Sequence, residues 1–269
     1  MSSIEAVIFD WAGTMIDFGS RAPMGVFVEL FRRHGLEVSV LEARVPMGLP
    51  KRAHIAAMLT QPRIADAWAA HYGAAATEAD IDRLYAEFGP MNVAVAAQFA
   101  DLVPGALPII ERLKADGVRI GSTTGYTREI MNQVLPVAAA QGYAPETLVC
   151  ADDLPEGRPG PMMMQKCFAD LGLADPARVV KVDDTEPGIA EGLAAGTWTI
   201  GVAVSGNAVG LSAAEWADLS PNAQFALRRQ AAQRLFDAGA HFVVDTVTDL
   251  LPVLDTIRGK LAAGQTPTA

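Results

Sequence analysis

The chain has 269 residues, of which 51% are apolar and 19% charged, and its formal net charge is −10. This composition belongs to a globular protein with room for one sizeable domain and a smaller inserted one, and it excludes a disordered chain. The acidic balance argues against nucleic acid or a membrane surface as a partner, since both are polyanionic, and it means that a phosphate-type substrate needs locally placed positive charge.

Taken in chain order, Ala6–Phe9 is a short apolar run closed by Asp10 and a Gly-Thr turn, and it reads as a buried strand. From Arg21 to Ala100 the pattern is helical, with segments at Met24–His34, Lys51–Thr60, Ile64–Tyr72 and Glu78–Phe99 and no convincing strand. Leu102-Val103-Pro104-Gly105 then turns the chain back. Strand-like runs follow at Val118–Ser122, Thr147–Cys150, Val179–Val182, Thr197–Val202 and His241–Val244. Helical patterns separate most of them, at Leu107–Asp116, Thr127–Ala140, Met162–Leu171 and Ile189–Ala195, and Ser220–Gly239 adds a late helical insertion. The tail Gly264–Ala269 reads as frayed.

Strands alternating with helices predict a doubly wound parallel α/β sheet, a Rossmann-like core over residues 1–20 and 101–269, with an inserted helical cap over 21–100. In such a sheet the ligand site lies beyond the carboxyl ends of the strands. Asp10, Thr123, Thr124, Asp183 and Asp184 all fall there.

Cys150 and Cys167 form no CxxC pair, which argues against a zinc site or a disulfide framework. MSSIEAVIFDWAG lacks the basic start and long apolar run of a secretory signal, and no uninterrupted apolar run reaches about 18 residues. A reduced, cytoplasmic setting is the expectation.

Four loops carry the chemistry. Asp10-Trp11-Ala12-Gly13-Thr14 puts a carboxylate at a strand end, where turn N–H groups can face the same anion; a plain turn-capping Asp is the alternative. Gly121-Ser122-Thr123-Thr124-Gly125-Tyr126 offers a hydroxyl and a glycine N–H to a phosphoryl oxygen, and can also cap the helix that follows. Arg158, bracketed by Gly157 and Pro159, offers a permanent forked cation. Asp183-Asp184-Thr185-Glu186 clusters carboxylates that repel unless a cation sits among them, and oxygen ligands of this kind suit Mg²⁺.

These motifs, in this order, resemble the signatures of the haloacid dehalogenase superfamily. The resemblance implies that Asp10 is a nucleophile forming an aspartyl-phosphate, that Thr124 and Gly125 bind phosphate, that Arg158 holds nucleophile and phosphoryl group, and that Asp10, the carbonyl of Ala12 and Asp184 bind Mg²⁺. The chain departs from the usual pattern three times. Ala12 stands where phosphatases carry an acid that protonates a leaving oxygen. Asp183 replaces a glycine, and Gly188 is not acidic, which leaves Asp183, Glu186 or water as the third protein-side ligand.

In the cap, Pro50 suits a first helical turn, and Lys51 and His54 share one helix face. A helix N-terminus and burial under a cap both favour a neutral lysine, which can attack a carbonyl; an exposed surface lysine is the alternative. The stretches DWAGT, MGLPKRAHI, GSTTGYTRE, GRPGP, EGLAAGTWTIGV, SGNAVGLS and GAHF together resemble one family, the phosphonoacetaldehyde hydrolases (phosphonatases), over nearly the full length. That resemblance implies a Schiff base on Lys51, a proton-shuttling role for His54, and a pocket lined by Met47, Gly48, His54 and Tyr126. It also implies cleavage of a small phosphonate at its carbon–phosphorus bond, as in 2-aminoethylphosphonate degradation, and a homodimer through the cap. No oxygen leaves in that reaction, so the missing acid at Ala12 makes chemical sense. A phosphomonoesterase or phosphomutase of the same superfamily is the alternative, and a non-catalytic relative would be expected to have lost Asp10 or Asp184. His34, His71 and His241 read as structural, Met162–Met164 as core or pocket wall, Cys150 as buried and inert, and Trp11 as pocket wall or packing.

Overall fold

A computed structural model describes residues 4–47 and 49–267. Its centre is a parallel sheet of six strands among the described residues: β1 (Ala6–Phe9), β2 (Arg119–Thr123), β3 (Thr147–Val149), β4 (Val179–Asp183), β5 (Trp198–Val202) and β6 (Phe242–Val244), in the order β3-β2-β1-β4-β5-β6. Strands that are apolar on both faces need cover on both sides. Val7 and Phe9 face one cluster together with Ile130, Val134 and Leu254, while Ala6 and Ile8 face the other with Met163, Met164 and Cys167. The covering helices are α6 (Ala106–Ala115), α7 (Arg128–Ala140), α8 (Met162–Leu171), α9 (Glu186–Ala194), α11 (Pro221–Asp237) and α12 (Leu250–Ala262), with the short α10 (Ala213–Ala217) beside them.

The strand order reverses between β1 and β4, and the crevice at such a switch point is where ligands bind. Asp10 follows β1 directly and Asp183 ends β4. Side-chain caps start the helices nearby: the hydroxyl of Thr127 accepts from the Ile130 N–H, and that of Thr185 from the Gly188 N–H.

The cap region holds α1 (Ala22–Arg33), α2 (Val40–Arg44), α3 (Lys51–Leu59), α4 (Pro62–Tyr72) and α5 (Glu78–Ala96). It has its own apolar core, with Phe27, Phe31, Ile55, Ile64, Trp68 and Phe88 at its heart. Capping boxes at Ser39/Glu42 and Thr77/Asp80 start α2 and α5. The five-residue α2 escapes the sequence pattern because it is shorter than two helical turns, and α10 and α12 were not anticipated either. α9 begins three residues before the apolar pattern does, because Thr185 caps it and Pro187 lies in its first turn.

Candidate active site

The first loop brings Asp10 out of the sheet as a buried carboxylate, 5% exposed. Arg158 reaches it from the loop after β3, donating from Nη2 to Asp10 Oδ1 at 2.7 Å. The same guanidinium lies 3.1 Å from Asp183 Oδ2 and donates through Nε to Glu191 Oε2 at 3.1 Å. A second cation lies behind it. Lys181 Nζ is 3.1 Å from both Asp183 Oδ2 and Glu191 Oε2 and donates to Thr123 Oγ1 at 2.6 Å. Thr123 Oγ1 in turn donates to Glu191 Oε2 at 2.9 Å. Arg158 is therefore held from behind by a fully buried acid as well as by Asp10 in front of it.

Lys181 and Glu191 were missed from the sequence, although both leave a signal there. Lys181 interrupts the buried strand Val179-Val180-Lys181-Val182-Asp183, and strand alternation puts Lys181 and Asp183 on one face. Glu191 lies on the buried face of α9 beside Ile189 and Gly192. A wholly buried charge in an apolar element needs a partner, so each implies the other.

Asp10, Asp183 and Asp184 place one carboxylate oxygen each within 4.8 Å of one another. Asp184 is held by the Asn207 N–H at 2.7 Å and faces the Thr14 hydroxyl at 3.4 Å. Burial, reinforced by the charges of Asp10 and Asp183, pushes the Asp184 carboxyl well above its ordinary range. Burial and Asp183 raise Asp10 to about 6, against the pull of Arg158 and Lys181. Four buried carboxylates, counting Glu191, thus face two buried cations, Arg158 and Lys181. The donor set is all oxygen and short of positive charge, which fits a hard divalent cation.

Of the residues left open as a third ligand, Glu186 turns outward to pair with Arg234 at 2.7 Å. Asp183 stays inside, with Oδ1 accepting from Thr185 N and Oγ1 at 3.0 and 2.8 Å. A Cβ on Gly188 would come within 2.0 Å of the Asp183 carboxyl carbon. The Asp183 side chain therefore occupies the space that any side chain at 188 would need.

Across the crevice, α3 opens on Lys51, which is 7% exposed. Its Nζ lies 5.9 Å from the Phe27 ring centre and 5.8 Å from that of Tyr126. Burial lowers the ammonium to about 8, with Asp10 opposing and Arg158 assisting. Asp10, Ala12, Met47, Lys51, Thr124, Gly125, Tyr126 and Arg158 all line one small cavity, joined by Ser20, Leu49 and Thr185. Gly48 lies outside the described residues.

His54 is fully buried behind Lys51, stacked on Phe27 with ring centres 4.0 Å apart. Its Nε2 pairs with the Ala43 carbonyl at 2.8 Å. A carbonyl only accepts, so Nε2 carries the hydrogen and Nδ1 keeps a lone pair, buried and without a partner among the described residues. Burial lowers His54 to about 3, so the ring is neutral at working pH. Trp11 is a packing residue, wholly buried against Tyr143 at 5.0 Å between ring centres. Cys150 is buried and its thiol pushed up to about 12, which leaves it unreactive. No helix among the described residues is long and apolar enough to cross a membrane.

Comparison with known proteins gives this geometry a family. The sequence profile of the haloacid dehalogenase-like hydrolases matches residues 4–196. The phosphonoacetaldehyde hydrolase of Paraburkholderia phytofirmans is 52% identical over 268 residues, spanning 99% of this chain and 100% of its own. That of Paraburkholderia xenovorans is 51% identical, with the same spans. The crystal structure of a phosphonoacetaldehyde hydrolase-like protein from Oleispira antarctica superposes with a TM-score of 0.96 at 47% identity, over 98% of this chain and 96% of that one. The chain belongs to the phosphonoacetaldehyde hydrolases, within the haloacid dehalogenase-like hydrolase family.

Proposed function

We propose that this protein hydrolyses the carbon–phosphorus bond of phosphonoacetaldehyde, giving acetaldehyde and phosphate, in 2-aminoethylphosphonate degradation. One observation carries the reading: a single small cavity is walled by Asp10 from the core and Lys51 from the cap, with Ala12 where an acid would otherwise stand. Residues 21–100 act as the cap, and 1–20 with 101–269 as the catalytic core.

A carbanion is too poor a leaving group for simple hydrolysis, so the aldehyde is activated first. The neutral amine of Lys51 adds to the aldehyde carbon, and loss of water leaves an iminium. Asp10 then attacks phosphorus through a carboxylate oxygen, and the electrons of the breaking P–C bond flow into the iminium to form an enamine. Protonation of the enamine carbon and hydrolysis of the imine release acetaldehyde and regenerate Lys51. Water attacks the aspartyl-phosphate, releasing phosphate and freeing Asp10.

Arg158 offsets charge on the phosphoryl oxygens and orients Asp10, while Thr124 and Gly125 bind those oxygens. Met47 and Tyr126 wall the two-carbon arm. The lone pair on His54 Nδ1 relays protons to and from Lys51, its tautomer set by the Ala43 carbonyl. Asp10, the Ala12 carbonyl and Asp184 would hold Mg²⁺, which when bound neutralises developing charge on the phosphoryl group. A cytoplasmic homodimer follows from the same reading. Its contact falls on the cap, where Val26, Met91, Val95 and Phe99 line an apolar groove.

The test is phosphate release from phosphonoacetaldehyde with and without Mg²⁺, for wild type, Asp10→Ala and Lys51→Ala. Turnover only in metal-loaded wild type is expected. Undiminished release by Lys51→Ala would sink the imine route, and release from para-nitrophenyl phosphate alone would favour a phosphomonoesterase.

A further inference from the structure

The cavity is walled by two bodies with separate apolar cores, so its geometry depends on how the cap is held against the sheet. The first connection between them carries an unusual backbone. Asp17 and Ser20 adopt φ of 53° and 50°, with Gly19 at 91° between them. Left-handed backbone at non-glycine residues persists only where the surroundings enforce it.

Arg44, the last residue of α2, reaches out of the cap onto this connection. Its Nη1 donates to the Gly19 carbonyl at 2.8 Å, the Ser20 carbonyl at 3.4 Å, and the backbone and side-chain oxygens of Asn207 at 3.3 and 3.1 Å. Its Nη2 donates to the Gly210 carbonyl at 2.8 Å. Every one of these acceptors is an uncharged carbonyl oxygen, and every one lies outside the cap helices. A planar fork of donors suits such a ring, whereas a single ammonium does not. The core loop is shaped to receive it. Gly210 has φ of 68°, and a Cβ there would stand 2.5 Å from Arg44 Cζ.

Both ends of this contact lead to the chemistry. On the core side, the Asn207 N–H holds Asp184, while Ser205 donates to the Gly13 carbonyl at 2.9 Å and accepts from the Gly19 N–H at 2.7 Å. On the cap side, Arg44 precedes Met47 and Lys51 in the segment that walls the cavity.

We propose that Arg44 is the latch between cap and core: by seating its guanidinium on the hinge carbonyls and the loop around Asn207 and Gly210, it holds the cap shut and fixes Lys51 over Asp10. Arg44 does not line the cavity, so it is a positioning residue. The proposal rests on Lys51 being the amine that captures the aldehyde.

The test uses full-length, magnesium-loaded Arg44→Ala, Arg44→Lys and Lys51→Ala. The measurements are kcat/KM for phosphonoacetaldehyde, with and without millimolar methylguanidinium, and the thermal midpoint. Arg44→Ala is expected to lose about 100-fold in kcat/KM, the scale of a misplaced reacting group, while its midpoint stays near that of wild type. Methylguanidinium should restore about tenfold or more of that loss, saturably, by refilling the carbonyl ring. Arg44→Lys keeps the stem and the charge but not the fork. It should remain at least about tenfold impaired, and it carries the test should Arg44→Ala fold poorly. Arg44→Ala within about twofold of wild type, or Arg44→Lys fully active, overturns the latch. Lys51→Ala is expected to be inactive and beyond rescue; if it is active, the imine reading fails while the Arg44 variants still report on closure.

Discussion

The core and the cap reach the same cavity by opposite electrostatic routes. On the core side, charge is concentrated and locked: Asp10, Asp183 and Glu191 pair with Arg158 and Lys181 at distances near 3 Å, and Asp184 stands beside Asp10 and Asp183. On the cap side, charge is disfavoured by burial. Lys51 sits against the rings of Phe27 and Tyr126, and His54 is buried against Phe27. In the proposed mechanism the core half stabilises charge arriving at phosphorus, and the cap half keeps an amine neutral enough to attack carbon. The two halves keep separate apolar cores and face each other across the cavity.

Disabling each half alone has the largest expected effect. Asp10→Asn should lower phosphate release by about 10⁴-fold or more, yet still form the imine on Lys51. Lys51→Arg should lose turnover to a similar extent and lose the imine as well. If Asp10→Asn also abolished the imine, the halves would not be independent.

The next largest effect falls on the platform behind Arg158. Glu191→Gln removes one of the two acids that Arg158 and Lys181 share, leaving Asp183 as the other. We expect kcat to fall about 10- to 100-fold, comparable to removing a supporting partner in other sites, with KM for the aldehyde changed little. A larger effect on imine formation than on phosphate release would contradict the separation.

The pH dependence sharpens the cap side. The folded-state value of Lys51 is lowered, so below about 8 the ammonium form dominates and the amine cannot attack. Imine formation should therefore rise about tenfold per pH unit up to about 8 and then level off, instead of climbing toward the range of an exposed lysine. Trapping rates measured from pH 6 to 10 locate that bend. The smallest expected effect is on packing. Phe27→Leu preserves most of the buried volume but removes the ring faces next to His54 and Phe88, and should cost about 1 kcal/mol in denaturant unfolding.

The two halves also differ in how much of them is legible in the sequence. Core strands announce themselves as apolar runs that end in Asp10, Thr123 or Asp183, because a doubly wound sheet needs apolar strands and collects its chemistry at their ends. What escapes is the charge inside the elements. Lys181 and Glu191 look like single interruptions of apolar patterns, and only the fold brings them together. In the cap, Pro50 and the spacing to His54 marked Lys51 as the start of a helix, and the family resemblance singled it out, but the tautomer of His54 depends on Ala43, in a helix too short to leave a periodic trace. Arg44 ends that same helix, and nothing local to it marks its contact with Gly210, 166 positions away along the chain. The swap of carboxylate between positions 183 and 188 was visible as two departures from a pattern, and the steric reason linking them is visible only in three dimensions.

The central claim is that carbon is activated from the cap before phosphorus is attacked from the core. Borohydride reduction in the presence of phosphonoacetaldehyde, followed by peptide mass spectrometry on wild type, Asp10→Asn and Lys51→Arg, tests it most directly. A reduced adduct on Lys51 is expected in the first two proteins and none in the third, which is also inactive. Normal turnover by Lys51→Arg, or an adduct confined to another lysine, would contradict it.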